Sequence, residues 1–147
     1  MTSVTVRHNF ETAHRLVQLG GKCRNLHGHS WWCEITLTGA VNDDGIVVDF
    51  TCLKGALRAW IDEYLDHGAM LGCDDPLLPA LRADGSKVFE FGSDSPAKDL
   101  AWPTVENVAE MLRRVSGSVL SDLGLIDVVC ERVRVTETHV NAAEVTA

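Results

Sequence analysis

His27 and His29, separated by Gly28, are the residues of this sequence whose types and spacing most directly suggest chemistry. In an extended segment, side chains two residues apart point to the same side, so both imidazoles can reach one point, and Gly28 lets backbone approach closely. His14, near the end of an earlier strand-like stretch, would add a third nitrogen if the two strands pair. Three imidazoles with an open coordination position form the catalytic type of zinc site. Residue types alone fit hydrogen-bonded histidines equally well. His8 and His139 lack supporting context and read as surface or polar-network residues.

Cys23 sits four residues before His27 in a Gly-rich loop, between Lys22 and Arg24. Neighbouring cations favour thiolate, which makes it the best candidate for chemistry among five cysteines. Cys33 and Cys52 read as small packing residues, and Cys73 and Cys130 as inert. Asp66 and His67 place a carboxylate beside an imidazole. Such a carboxylate fixes the tautomer of a general base or proton relay, although a histidine closing a helix would look the same.

Alternation over 3–17 predicts a strand carrying His14, the polar 18–30 a loop, and 31–39 a second strand. A turn at 42–45 and a short apolar piece lead to Asp49, a plausible N-cap. Phe50, Leu53, Leu57, Ile61, Tyr64 and Leu65 then keep helical spacing until Asp66-His67-Gly68. A second helix is expected from Pro103 to Gly124, with Thr104 and Glu106 in its first turn, and a last strand over 126–137. The stretch 72–102 reads as a long insertion in which 87–91 could add a strand. A connection of that length is usually functional or packs between subunits.

With 147 residues, 46% apolar and 23% charged, the chain is expected to fold as one domain, 1–147. Its net charge of −8 disfavours nucleic acid and anionic membrane surfaces as partners. An odd set of cysteines without CxxC pairs, no long apolar run and no secretory-type start predict a cytoplasmic location.

Six segments together resemble the 6-pyruvoyl-tetrahydropterin synthases and bacterial 6-carboxytetrahydropterin synthases. They are Phe10-Glu11-Thr12-Ala13-His14-Arg15, Cys23-Arg24-Asn25-Leu26-His27-Gly28-His29-Ser30, Val48-Asp49-Phe50, Leu65-Asp66-His67, Pro103-Thr104-Val105-Glu106-Asn107 and Thr136-Glu137-Thr138. They occur in the family's order and span nearly the whole chain.

The resemblance implies an α+β T-fold, an antiparallel sheet with two helices on one face, closed into a barrel by homo-oligomerisation, as a hexamer. It implies zinc on His14, His27 and His29, and proton transfer by Cys23, Asp66 and His67. Glu137 would anchor the pterin, Thr104 would line its pocket and Glu106 would support it. Three residues between Cys23 and His27 favour the carboxy branch, a lyase converting 7,8-dihydroneopterin triphosphate to 6-carboxy-5,6,7,8-tetrahydropterin, acetaldehyde and triphosphate on the route to queuosine-type 7-deazapurines. The alternatives are triphosphate elimination without side-chain cleavage and a non-catalytic zinc- or pterin-binding protein. Arg15, Lys22 and Arg24 are candidate triphosphate contacts. Val105, where the family usually has a small polar residue, and the length of 72–102 depart from the family's pattern.

Overall fold

The alternating N-terminal run does form a strand. In the computed structural model, which describes residues 1–147, β1 spans Thr2–His14 and buries Val6, His8, Phe10, Thr12 and His14 on one face. It pairs antiparallel with β2, His27–Gly39, whose His29, Trp31, Cys33, Ile35 and Leu37 point to the same side. His27 and His29 thus open a strand, where a loop through residue 30 was expected. The hydrophobic face begins with them.

Asp49 caps α1, Phe50–Tyr64, by accepting a hydrogen bond from the Thr51 amide. The chain continues through β3 (Gly68–Gly72), α2 (Leu78–Asp84), β4 (Val88–Phe91), α3 (Val105–Asp122), β5 (Val129–Thr138) and β6 (Asn141–Thr146). The sheet order is β4-β3-β1-β2-β5-β6. Its β1-β2-β5-β6 part is antiparallel, whereas β3 runs parallel to both β1 and β4.

The sheet is therefore mixed, where an antiparallel one was expected, and a third helix accompanies the two anticipated. The stretch 72–102 holds α2 and the edge strand β4. β3 is buried on both faces, so it has no alternation to betray it, and β6 is a short edge strand rich in alanine. α3, expected to start at Pro103, starts at Val105 with Thr104 as its N-cap, and Pro103 lies just before that cap.

α1 and α3 cover the same sheet face and share one core of 25 buried residues, including Phe10, Trp31, Leu57, Ile61, Leu112 and Val133. Phe10 and Trp31 stack with ring centroids 5.9 Å apart. Leu112, 1% exposed on α3, exemplifies the stabilisation, since truncating such a side chain to alanine costs about 2–5 kcal/mol. No helix is long and apolar enough to cross a membrane.

Candidate active site

The register of the first hairpin assembles the histidines. His14 lies opposite His27 and Thr12 opposite His29, so the three imidazoles meet at one end of the core face above Trp31. Each offers a ligand nitrogen, and these atoms lie within 4.8 Å of one another. His14 Nδ1 donates to the Pro103 carbonyl at 2.8 Å and His27 Nδ1 to the Asn25 carbonyl at 2.7 Å. A carbonyl can only accept, so both protons sit on Nδ1 and each Nε2 lone pair is left free.

His29 Nε2 is buried without any partner. Burial pushes the His14 imidazole down to about 4 and also lowers His29, which keeps both neutral as ligands must be. An orphaned His29 nitrogen beside two imidazoles whose Nδ1 atoms are held by carbonyls fits a divalent cation such as zinc.

Glu137 reaches the same cluster from β5, its Oε2 3.8 Å from His14 Nε2. Because His14 is neutral at ordinary pH, this contact sets a carboxylate beside an imidazole and is not an ion pair. An open cleft of 610 Å³ adjoins the cluster, lined by His29, Ser30, Trp32, Thr136, Glu137 and His139 among others.

A family model described as 6-pyruvoyl tetrahydropterin synthase matches residues 3–147. The chain belongs to that family. A relative from Rickettsia conorii named 6-carboxy-5,6,7,8-tetrahydropterin synthase is 32% identical over 116 residues, covering 77% of this chain and 78% of its own. One of the same name from Aquifex aeolicus is 31% identical over 125 residues, covering 84% and 75%.

Among solved structures, an uncharacterised protein from Wolinella succinogenes superposes with a TM-score of 0.74 at 27% identity, covering 99% of this chain and 97% of that one. The Caenorhabditis elegans 6-pyruvoyl tetrahydropterin synthase gives 0.67 at 25% identity, covering 100% and 97%. The α+β architecture is the family's T-fold.

The remaining candidates of this family member are placed differently. Cys23 is half-buried in a short 3-10 turn, Lys22–Arg24, anchored where the Leu16 amide donates to the Cys23 carbonyl at 2.8 Å. Asp66 and His67 follow α1, with His67 Nδ1 2.7 Å from Asp66 Oδ2. Burial pushes the Asp66 carboxyl up, but bonds from the Glu11 amide and the imidazole outweigh it and hold the carboxyl below its usual value. No hydrogen bond joins Cys23 to this pair, and the His67 side chain is 80% exposed.

Neither Thr104 nor Glu106 lines the cleft. The Thr104 hydroxyl accepts from the Asn107 amide as the cap of α3, and Glu106 is exposed in the first turn. Arg15 is committed to Asp75 through a two-pronged contact, which removes it from the free cations near the site, whereas Lys22 and Arg24 are exposed.

Two side chains, His8 and Cys52, differ from expectation, whereas Cys33 packs in the core as expected. His8 is buried beneath α1 with Nε2 unpartnered, because β1 keeps a strict inward phase through it. Cys52 is exposed, since it falls on the outer side of α1. Cys33 is fully buried, which pushes its thiol up to about 12. The carbonyl of Pro103, which orients His14, had no sequence signal, since any residue supplies a carbonyl.

Proposed function

We propose that this enzyme is a zinc-dependent 6-carboxytetrahydropterin synthase that takes 7,8-dihydroneopterin triphosphate and water to 6-carboxy-5,6,7,8-tetrahydropterin, acetaldehyde and triphosphate. The observation that carries the proposal is the trio His14, His27 and His29, with its orphaned nitrogen and fixed tautomers, in a chain whose relatives bear that name. The product would feed 7-deazapurine synthesis of the queuosine type, in the cytoplasm.

His14, His27 and His29 would hold the zinc. When bound, zinc supplies Lewis-acid polarisation of the substrate's side-chain oxygens, acidifying the neighbouring C–H and O–H bonds. Glu137 accepts a parallel pair of N–H bonds from the pterin's guanidine-like edge, which sets the side chain toward the histidines. His67, its Nδ1 bonded to Asp66, presents Nε2 for proton transfer, and the Cys23 thiol is the second proton-transfer group.

Because the chain leaves Cys23 and His67 unconnected, the proposal includes a homo-oligomer in which a neighbouring copy completes the set. β4 and β6 each end the sheet with an unpaired edge, as closure into a barrel by further copies requires.

Incubating the zinc-loaded protein with dihydroneopterin triphosphate and weighing the products tests the reading. Acetaldehyde with a carboxylated pterin supports it. A pterin that has lost triphosphate and kept its three-carbon side chain assigns the 6-pyruvoyl reaction instead, and unchanged substrate overturns both.

A further inference from the structure

The residues just after α1 hold an unusual backbone. His67 has φ +58°, a left-handed conformation that residues with side chains rarely adopt. It is pinned on one side by β1, where the His67 amide donates to the Glu11 carbonyl at 2.7 Å and the Glu11 amide donates to Asp66 Oδ1 at 2.8 Å.

On the other side it is pinned from 72–102, a stretch to which the proposed reaction assigns no role. Lys87 Nζ donates to the Asp62 carbonyl at 2.6 Å and to the Asp66 carbonyl at 2.8 Å. The carbonyls ending a helix lack intrahelical partners and carry the negative end of its dipole, so an ammonium is suited to them.

The lysine is itself held in place. Its carbonyl accepts from the Ala69 amide at 3.0 Å, and the next residue, Val88, pairs with Ala69 in the β3–β4 ladder. Its stem lies against Gly68, where an added Cβ would come within 2.9 Å of Lys87 Cδ. The absence of a side chain at Gly68 is what lets the stem cross to the helix end.

We propose that Lys87 is a positioning residue, whose ammonium locks the left-handed turn that presents the Asp66–His67 pair. The inference rests on the proton-transfer reading of that pair. Lys87→Met keeps the stem over Gly68 and removes the donor, while Lys87→Arg restores a cation.

In the zinc-loaded full chain, Lys87→Met should lower kcat on dihydroneopterin triphosphate by about ten- to a hundredfold, with KM and zinc content unchanged. Lys87→Arg should recover most of the loss. Amide hydrogen exchange at His67 should quicken by at least tenfold in Lys87→Met, while amides in the middle of α3 keep their protection.

Unaltered exchange at His67 would overturn the tether. Faster exchange with parental kcat would reduce Lys87 to a helix-end contact and overturn its role in positioning. If the parent protein itself does not turn over the substrate, the proposed activity fails, and the exchange measurement still decides whether Lys87 locks the turn.

Discussion

The three histidines and the Asp66–His67 pair are both anchored in the last four residues of β1, yet they are finished to different degrees. His14 is 1% exposed, its Nδ1 is occupied by Pro103, and its two partner imidazoles arrive by strand register. The His67 ring is fixed at its base by Asp66 and by the Glu11 backbone, but it projects into solvent and meets no thiol. Strand register alone brings the three imidazoles together. On the proposed reading, the proton-transfer candidates scattered over 23–67 would need a surface from a neighbouring copy, because this single chain does not bring Cys23 to the Asp66–His67 pair.

The sharpest way to break the contrast is at the histidines. A His27→Ala, His29→Ala double variant should lose its zinc and all turnover, and full stoichiometric metal in elemental analysis would remove this ligand set.

Cys23→Ala should then separate the two halves, keeping zinc and substrate affinity while turnover falls about 10²–10⁴-fold. Parental turnover with the same products would show that the thiol has no part. Cys33→Ala makes a useful contrast, since removing a buried thiol should lower thermal stability and leave the chemistry alone.

Glu137 sits between the halves, near the histidines but facing the cleft. Glu137→Gln should retain zinc and weaken substrate binding about ten- to a hundredfold, as expected for loss of a charge-assisted pair of hydrogen bonds worth roughly 1.5–3 kcal/mol. Unchanged affinity by calorimetry would return it to the role of an inert strand-end acid.

The smallest effect on turnover is expected at Asp75, which ties the end of β1 to 72–102 through Arg15. Burial pushes this carboxyl up, but Arg15 and the Leu77 amide outweigh it and hold it below its usual value. A carboxyl depressed in the folded state adds stability above its unfolded value, near pH 4, and that stability is lost as the pH falls through the folded value. Denaturant unfolding of Asp75→Asn should therefore show weaker stability at neutral pH and a flatter decline below about pH 4 than the parent. Parallel curves would show that the contact contributes nothing.

The sequence carried the long strands, both long helices and the His27–His29 pair because each rests on a local period, whereas His14 joins them only through the pairing of β1 with β2. His27 and His29 share a face by the two-residue repeat of a strand, and Asp49 begins α1 by a cap that needs no distant partner. What stayed hidden depends on tertiary placement. β3 is apolar on both faces, and its parallel partners lie over fifty and about twenty residues away in sequence. The Thr104 hydroxyl is taken by a helix cap, Arg15 by a buried acid, and Lys87 by a helix end, and none of these engagements shows in residue type.

All three histidines lie within the first 29 residues, on a single hairpin, whereas the carbonyl that orients His14 is 89 residues further along the chain. If these histidines hold zinc as proposed, chain order would separate formation of the ligand set from its refinement. During synthesis the hairpin emerges first, and hairpins close in about 1–10 μs, long before the residues around Pro103 are made. Metal supplied as a pulse early in refolding should be captured before α3 gains hydrogen-exchange protection, with docking of the helix start then tightening its retention; capture only after α3 is protected would reverse that order.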